Sequence, residues 1–235
     1  MSIADNLYRV RERIARAAAQ AGRNAEEITL VGVTKYVGVH EAAELVAAGC
    51  FDLGESRPQE LWSKAEEIAA AGGQAGVRWH LIGHLQRNKI RRTLPLVSLI
   101  HSVDSPRLLA AIDEAHAEMG DNAPPVSVLL EVNTYGESAK HGLTPDEVEP
   151  LLATTLNYPN VAIRGLMTMA ALDGGLEIAA GNFAALRELR DRLRTTIPDG
   201  IQLNELSMGM SGDFEVAIRE GATIVRVGSV LWENL

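Results

Sequence analysis

The amino-acid sequence predicts an α/β fold, a single-domain (β/α)8 TIM barrel with an N-terminal docking helix. Eight short runs rich in β-branched residues alternate with amphipathic helical patterns, as expected of parallel strands joined by crossover helices. The length of 235 residues is also close to the size of this fold. No linker or low-complexity stretch divides the chain, so we expect one domain over 1–235.

The first element is an amphipathic helix at the start of the chain. Apolar residues recur there at helical spacing, and they give the helix one apolar stripe that we expect to dock on the barrel. The residues of this stripe are Ile3, Leu7, Val10, Ile14 and Ala18.

The candidate strands follow in order, each a short run of β-branched and other apolar residues. They span 28–35, 51–55, 77–83, 98–104, 126–133, 162–169, 202–209 and 223–230. Helical patterns lie between them, and two begin with a capping residue before a proline, at Ser105 and Thr144. These patterns cover 40–49, 57–71, 105–120, 144–156, 182–196 and 212–222.

An open, doubly wound sheet is the alternative architecture. The count of eight strands disfavours it, as does the lack of a G-x-G-x-x-G turn after the first strand. In a barrel, the chemistry should gather at the carboxyl ends of the strands, where barrel enzymes assemble their loops.

Composition and charge exclude several classes of function. The 22 Lys and Arg against 31 Asp and Glu give a net charge of −9, which disfavours nucleic acid as a partner. The single cysteine, Cys50, excludes an intrachain disulfide and is expected to be a core residue. No apolar stretch approaches the ~18 residues that span a bilayer, so we expect a cytoplasmic protein without membrane contact. The histidine spacing predicts no metal site.

Lys35 ends the first predicted strand. Thr29, Val31 and Val33 share its face by the two-residue period, so a lysine closes a mostly apolar row. One interpretation is a solvated charge at the end of a strand. The other is an amine in a partly dry pocket, whose lowered pKa lets the neutral form attack a carbonyl as a Schiff-base nucleophile. This segment alone leaves both open.

A candidate phosphate site lies on the last two strands, which neighbour the first strand in a closed barrel. The seventh strand runs into SMGMSGD (207–213), where glycines allow close approach of the backbone and a helix start favours an anion. On the eighth strand, Arg226 and Gly228 share one face and Ser229 follows. Two alternative interpretations stay open: SMGMSGD is a simple turn, and Arg226 is a structural ion-pair partner. Together with Lys35, these residues favour a phosphorylated aldehyde such as pyridoxal 5′-phosphate (PLP).

Five segments resemble the pyridoxal phosphate homeostasis proteins, the YggS/PROSC-like family. They are VGVTK (31–35), FDLGES (51–56), WHLIGHLQRNK (79–89), RGLMTM (164–169) and LSMGMSGDFEVAIREGATIVRVGS (206–229). The resemblance covers nearly the whole chain and implies a barrel related to the N-terminal domain of alanine racemase. It also implies PLP as the cofactor, held as an aldimine on Lys35.

The resemblance implies further cofactor contacts. Phosphate contacts come from Ser207, Gly228 and Ser229, with backbone help from Met208, and Arg226 faces the pyridine nitrogen. Two positions depart from the family pattern: Ser56 stands near the ring where Asn is common, and His84 stands where Pro is common.

The expected function is a PLP carrier without robust turnover. A guanidinium stays protonated, so a pyridine nitrogen facing Arg226 accepts a hydrogen bond and becomes a poorer electron sink. The related racemases take a second base from another domain and subunit, for which this chain has no residues left. We therefore expect storage and delivery of PLP through a Lys35 Schiff base, with PLP-dependent apo-enzymes as possible recipients and a monomeric state.

Two other functions remain as alternatives. One is a PLP-dependent amino-acid racemase or related enzyme. The other is a barrel lyase in which Lys35 forms a Schiff base directly with a sugar phosphate. Lys140, on the loop after the fifth strand, either accepts cofactor near the barrel mouth or is an exposed loop lysine.

Overall fold

The computed structural model describes residues 2–72, 76–120, 123–136, 142–171, 173–197 and 201–234. Eight parallel strands form a closed barrel in chain order, and the last strand pairs with the first. The strands are β1 Thr29–Val33, β2 Asp52–Glu55, β3 Arg78–Leu81, β4 Val97–Val103, β5 Val126–Glu131, β6 Val161–Met167, β7 Glu205–Ser207 and β8 Ile224–Val227. The predicted (β/α)8 barrel and all eight strand positions are confirmed.

Helices surround the barrel in the layer expected of crossover connections. They are α1 Ile3–Gln20, α2 Val39–Ala47, α3 Pro58–Ala70, α4 Ile90–Thr93, α5 Pro106–Ala117, α6 Pro145–Thr154, α7 Gly175–Leu193 and α8 Phe214–Arg219. The short α4 was not predicted, since four residues are too few for a helical period. Within the described part of the chain, no helix has the length and apolar character needed to cross a bilayer.

Helix α1 closes the helical layer and is the predicted docking helix. The five stripe residues are all buried, and the helix contacts α2, α8 and the turn after β8. Asn6, which is also buried, donates hydrogen bonds from Nδ2 to the carbonyls of Leu231 (3.1 Å) and Glu233 (2.9 Å). On the exposed side, Arg13 Nε lies 2.7 Å from Glu215 Oε1 of α8. These contacts fix α1 to α8 and to the segment that follows β8.

Strand β1 ends two residues earlier than predicted. The Thr34 amide still donates to the Gly54 carbonyl of β2 at 2.9 Å, but the Thr34 carbonyl accepts from the Val37 amide at 3.1 Å and so begins a turn. Lys35 therefore lies in a turn above the barrel rim rather than on the strand.

The barrel has an apolar shell outside the sheet and a partly polar interior. Strand residues facing outward pack against the helices, among them Val225 and Val227 of β8. A small inner cluster consists of Val31, Leu99, Leu129, Met167 and Ile224. Cys50 is in the outer core, as predicted, and burial raises the pKa of its thiol to about 11. The interior also holds buried histidine, serine and arginine side chains, which lead to the site.

Candidate functional site

A cavity of about 430 Å³ opens at the carboxyl ends of the strands. This volume is in the range of small-molecule sites. Its lining residues follow β1, β2, β3, β6, β7 and β8, so it occupies the rim where barrel enzymes place their chemistry. They are Val33, Lys35, Tyr36, Ser56, Ile82, Gly83, Met169, Met210, Ser211, Gly212, Arg226, Gly228, Ser229 and Trp232.

Lys35 lines the mouth of this cavity and is exposed. Its Nζ lies 4.9 Å from the centre of the Tyr36 ring, and Tyr36 itself is 84% exposed. Of the two interpretations that the sequence left open, the structure favours a solvated amine over one in a partly dry pocket.

A buried ion pair supports the turn that carries Lys35. Lys64 of α3 is buried, and its Nζ lies 2.5 Å from Glu55 Oε1 and 2.8 Å from the Thr34 carbonyl. The Ser56 amide donates to the other oxygen of Glu55. One carboxylate thus fixes the ends of β1 and β2 below the cavity.

Loops after β8, which pairs with β1 in the closed barrel, and after its neighbour β7 build a further wall of the cavity. The Gly228 amide donates to Ser211 Oγ at 3.1 Å, which joins the two loops. Gly209 makes the turn possible, because its φ is +93° and a Cβ there would lie 2.6 Å from that of Ala217. Ser211, Gly212, Gly228 and Ser229 together present hydroxyls and backbone to the cavity.

Arg226 forms the floor of the cavity and is held from below. Its Nη1 donates to Ser207 Oγ at 2.6 Å and its Nη2 to the Thr168 carbonyl at 2.9 Å. Burial lowers the pKa of Arg226 to about 10, against the effect of Glu131 and Asp213. The guanidinium is therefore a buried cation at neutral pH.

Five of the seven predicted site residues line this one cavity: Lys35, Ser56, Arg226, Gly228 and Ser229. Ser207 and Met208 do not. Ser207 is fully buried beneath Arg226, and the Met208 amide donates to the Ile224 carbonyl at 3.1 Å. Their expected phosphate contacts stay predictions, whereas Ser211, four residues along the same glycine-rich segment, lines the cavity wall.

A chain of buried polar side chains continues from Ser207 across the barrel. Ser207 Oγ lies 2.8 Å from His101 Nδ1, and His101 Nε2 lies 2.9 Å from His80 Nδ1. His80 Nε2 lies 3.0 Å from Asp52 Oδ1. Burial alone would raise the pKa of Asp52, but hydrogen bonds from His80 and Arg78 outweigh it and the net shift is downward. His80 is thus a satisfied core residue, not a lining residue of this cavity.

His101 should make the protein sensitive to mild acid. Burial, with His80 and Arg226, holds its pKa well below 6.5, so below that pH the unfolded chain binds a proton that the folded chain does not. Unfolding free energy should therefore fall as pH drops below about 6.5, at up to about 1.4 kcal/mol per pH unit from this group. Urea unfolding between pH 7.5 and 5 measures the slope. An equal slope in His101→Asn would contradict this assignment.

Comparison with known proteins gives the family of this chain. Residues 6–233 match the family model described as alanine racemase, N-terminal domain. The pyridoxal phosphate homeostasis protein of Aquifex aeolicus is 40% identical over 232 residues, covering 99% of this chain and 98% of the relative. That of Pseudomonas aeruginosa is 36% identical, covering 98% and 95%. The chain belongs to the pyridoxal phosphate homeostasis protein family. The resemblance read from the sequence is confirmed.

Solved structures give the same family and fold. PipY of Synechococcus elongatus, in a structure with PLP bound, superposes with a TM-score of 0.84 at 31% identity and covers 98% of this chain and 99% of PipY. Alanine racemase of Clostridium difficile superposes with a TM-score of 0.73 at 17% identity, over 98% of this chain but 57% of the racemase. The second likeness establishes the shared barrel alone.

Two positions that depart from the family pattern lie apart from each other. Ser56 lines the cavity, whereas His84 is exposed, with Nδ1 3.6 Å from Asp104 Oδ2, and lines a separate cavity. Lys140 lies outside the described residues.

Proposed function

We propose that this chain binds PLP and acts in PLP homeostasis, storing and delivering the cofactor through a Schiff base on Lys35. The observation that carries the proposal is the shared cavity: Lys35, Ser211, Gly228 and Ser229 all line it, at the adjacent ends of β1, β7 and β8. An amine and a set of phosphate donors on one cavity match the two ends of a phosphorylated aldehyde. The family relationship and the PLP-bound PipY structure support the same ligand.

The residues present fit this ligand chemically. The Ser211 and Ser229 hydroxyls and the loop backbone supply neutral donors for a phosphate, and the buried Arg226 cation supplies a donor for a ring nitrogen. When bound, PLP supplies an aldehyde that reacts reversibly with amines. Lys35 would be the residue that holds the aldehyde end, its neutral amine giving up two protons to the oxygen that leaves as water. Water or another amine would release the ligand from Lys35, which suits a carrier.

The described cavity contains little besides Lys35 for proton transfer. Its remaining titratable lining residues in the described part of the chain are Tyr36 and Arg226. Tyr36 adjoins Lys35 on the same side, and Arg226 remains a cation, so neither supplies a base opposite the lysine. This favours a carrier over the alternative, an amino-acid racemase, which needs a base on each face of the substrate carbon.

The proposed delivery role includes partners. The exposed position of Lys35 leaves the covalent link accessible from solvent, which supports transfer to a PLP-dependent apo-enzyme. A monomeric state and a cytoplasmic location stay predictions.

Replacing Ser211 with alanine tests the phosphate wall. The wild type should retain PLP after gel filtration, and Ser211→Ala should bind PLP about tenfold more weakly, because one hydrogen bond to a charged group is lost. Binding of pyridoxal, which lacks the phosphate, should be unchanged. Equilibrium dialysis against both compounds measures the two affinities.

The matched control is Ser63→Ala, at an exposed serine of α3. It should bind both compounds like the wild type. A wild type that retains no PLP would overturn the proposed function. Equal weakening of PLP and pyridoxal by Ser211→Ala would remove Ser211 from the phosphate wall.

A further inference from the structure

A continuous hydrogen-bonded row of side chains joins the two ends of the barrel. Arg226 faces the cavity at the carboxyl ends, while Asp52 and His80 line a separate cavity of about 410 Å³ at the amino ends. His101 and Ser207, both fully buried, link the two. We call Asp52, His80, His101 and Ser207 the interior chain. None of the four residues of the interior chain lines the cavity at the carboxyl ends.

With a neutral His80, the end groups of the interior chain set one hydrogen-bond direction. Arg226 has donors alone, so Ser207 Oγ accepts from Nη1 and its hydroxyl proton is available for His101 Nδ1. At the other end the Asp52 carboxylate accepts, so His80 donates from Nε2. A neutral His80 that donates from Nε2 accepts at Nδ1, and His101 therefore donates from Nε2. Each donor points from Arg226 toward Asp52.

The end at Asp52 is itself anchored. Arg78 donates to both carboxylate oxygens of Asp52, with Nε 2.7 Å from Oδ1. Asp52 is therefore held as a carboxylate, which accepts hydrogen bonds and donates none. Among the described residues, the one buried side-chain N or O atom without a hydrogen-bond partner is His116 Nδ1, which lies outside the interior chain. The chain is fully satisfied, and such networks hold their members rigidly.

We propose that the interior chain positions the Arg226 guanidinium toward the cavity. Residues at the amino end of the barrel thereby fix the orientation of the guanidinium that meets the ligand's ring nitrogen. The proposal rests on the proposed function for the identity of that ligand. The four residues of the interior chain are positioning residues, because each is hydrogen-bonded to the next and none of them lines the cavity. Arg226, to which the interior chain is joined, does line it.

The first test uses the full chain without ligand. Long-range proton–nitrogen spectra of the ¹⁵N-labelled histidine rings at neutral pH should show His80 and His101 both carrying the proton on Nε2. A cationic His80 would donate from Nδ1 and force the proton of His101 onto Nδ1. Either result, a cationic His80 or an Nδ1 proton on His101, would overturn the proposed direction. This measurement needs no variant and no PLP.

The second test measures positioning. Ser207→Ala removes the hydroxyl that links Arg226 to His101. The wild type should prefer PLP about tenfold over an analogue with carbon in place of the ring nitrogen, the loss expected for one charge-assisted hydrogen bond. Ser207→Ala should reduce that preference to about threefold or less, because an unanchored guanidinium meets the nitrogen poorly. If Ser207 had a structural role alone, Ser207→Ala would weaken the binding of both compounds equally and leave the preference unchanged. This result would overturn the positioning role.

His116→Asn is the matched control, since it alters a buried histidine outside the interior chain. Its preference for PLP should equal that of the wild type. Failure of the proposed function has a different signature: a wild type that binds neither compound. In that case two other measurements test the proposal. One is which ring nitrogen of His80 and of His101 carries the proton, and the other is the rate of hydrogen exchange at the Arg226 guanidinium. Exchange should be about tenfold faster in Ser207→Ala, and an unchanged rate would overturn the proposal.

Discussion

Replacing Lys35 with alanine is expected to abolish covalent capture of PLP. The amine at the cavity mouth is the group that condenses with the aldehyde, and no other described lysine lines the cavity. The wild type incubated with PLP should absorb in the visible, and borohydride reduction should fix the ligand on the peptide that contains Lys35. Lys35→Ala should lose the band and the mass adduct completely, while the phosphate wall retains weak, reversible binding.

The composition makes this experiment clean, because the chain has four lysines: Lys35, Lys64, Lys89 and Lys140. Lys64 is buried in its ion pair, and Lys89 lies over the Trp62 ring with Nζ 5.5 Å from the ring centre. Lys89→Ala is therefore the matched control and should keep the full visible band. An adduct that maps to Lys140 in the wild type, with Lys35 unmodified, would contradict the assignment.

Replacing Lys64 with methionine should destabilise the fold by about 3–5 kcal/mol. The substitution leaves the buried Glu55 carboxylate without its cation, and a lone buried charge costs far more than the pair contributes. The Thr34 carbonyl also loses a donor, so the turn at Lys35 should loosen and PLP binding should weaken. Urea unfolding, extrapolated to zero denaturant, gives the loss in unfolding free energy.

A double variant separates the charge from the packing. Lys64→Met with Glu55→Gln removes both charges and should recover a large part of the lost stability. Lys89→Met, at a partly exposed lysine, should change stability by about 0.5 kcal/mol or less. If the double variant is no more stable than Lys64→Met alone, the uncompensated carboxylate is not the cause.

The barrel could be predicted because its evidence is periodic. Eight strand runs and their helical partners repeat along the chain, and the stripe from Ile3 to Ala18 identifies α1 without any tertiary information. Helix α4 was missed since Ile90–Thr93 spans one turn. The length of such a short helix depends on the distance that the chain must span between the end of β3 and the start of β4. The sequence alone does not give that distance.

The site could be predicted in outline and not in detail. Lys35, Arg226, Gly228 and Ser229 were identified because each stands at a strand end. Ser211 was not singled out within SMGMSGD (207–213), because β7 ends at Ser207 and the turn at Gly209, not strand periodicity, sets where the following side chains lie. The signal lay in the motif itself, where a second serine follows the turn at Gly209.

The contacts within the interior chain had no sequence signal. Asp52, His80, His101 and Ser207 come from four different strands, and their contacts depend on the register in which those strands pair. Buried ionisable residues in the strands were visible, but which of them meet could be known only from the closed barrel.

Closure of the sheet between β1 and β8 also governs how the protein must acquire its fold. Thr29–Val33 and Ile224–Val227 pair across almost the whole described chain, and such distant contacts form late and slowly. Until they form, a folding molecule exposes two unpaired strand edges, which bind other chains readily. Recovery from denaturant should therefore be limited by aggregation and improve with dilution.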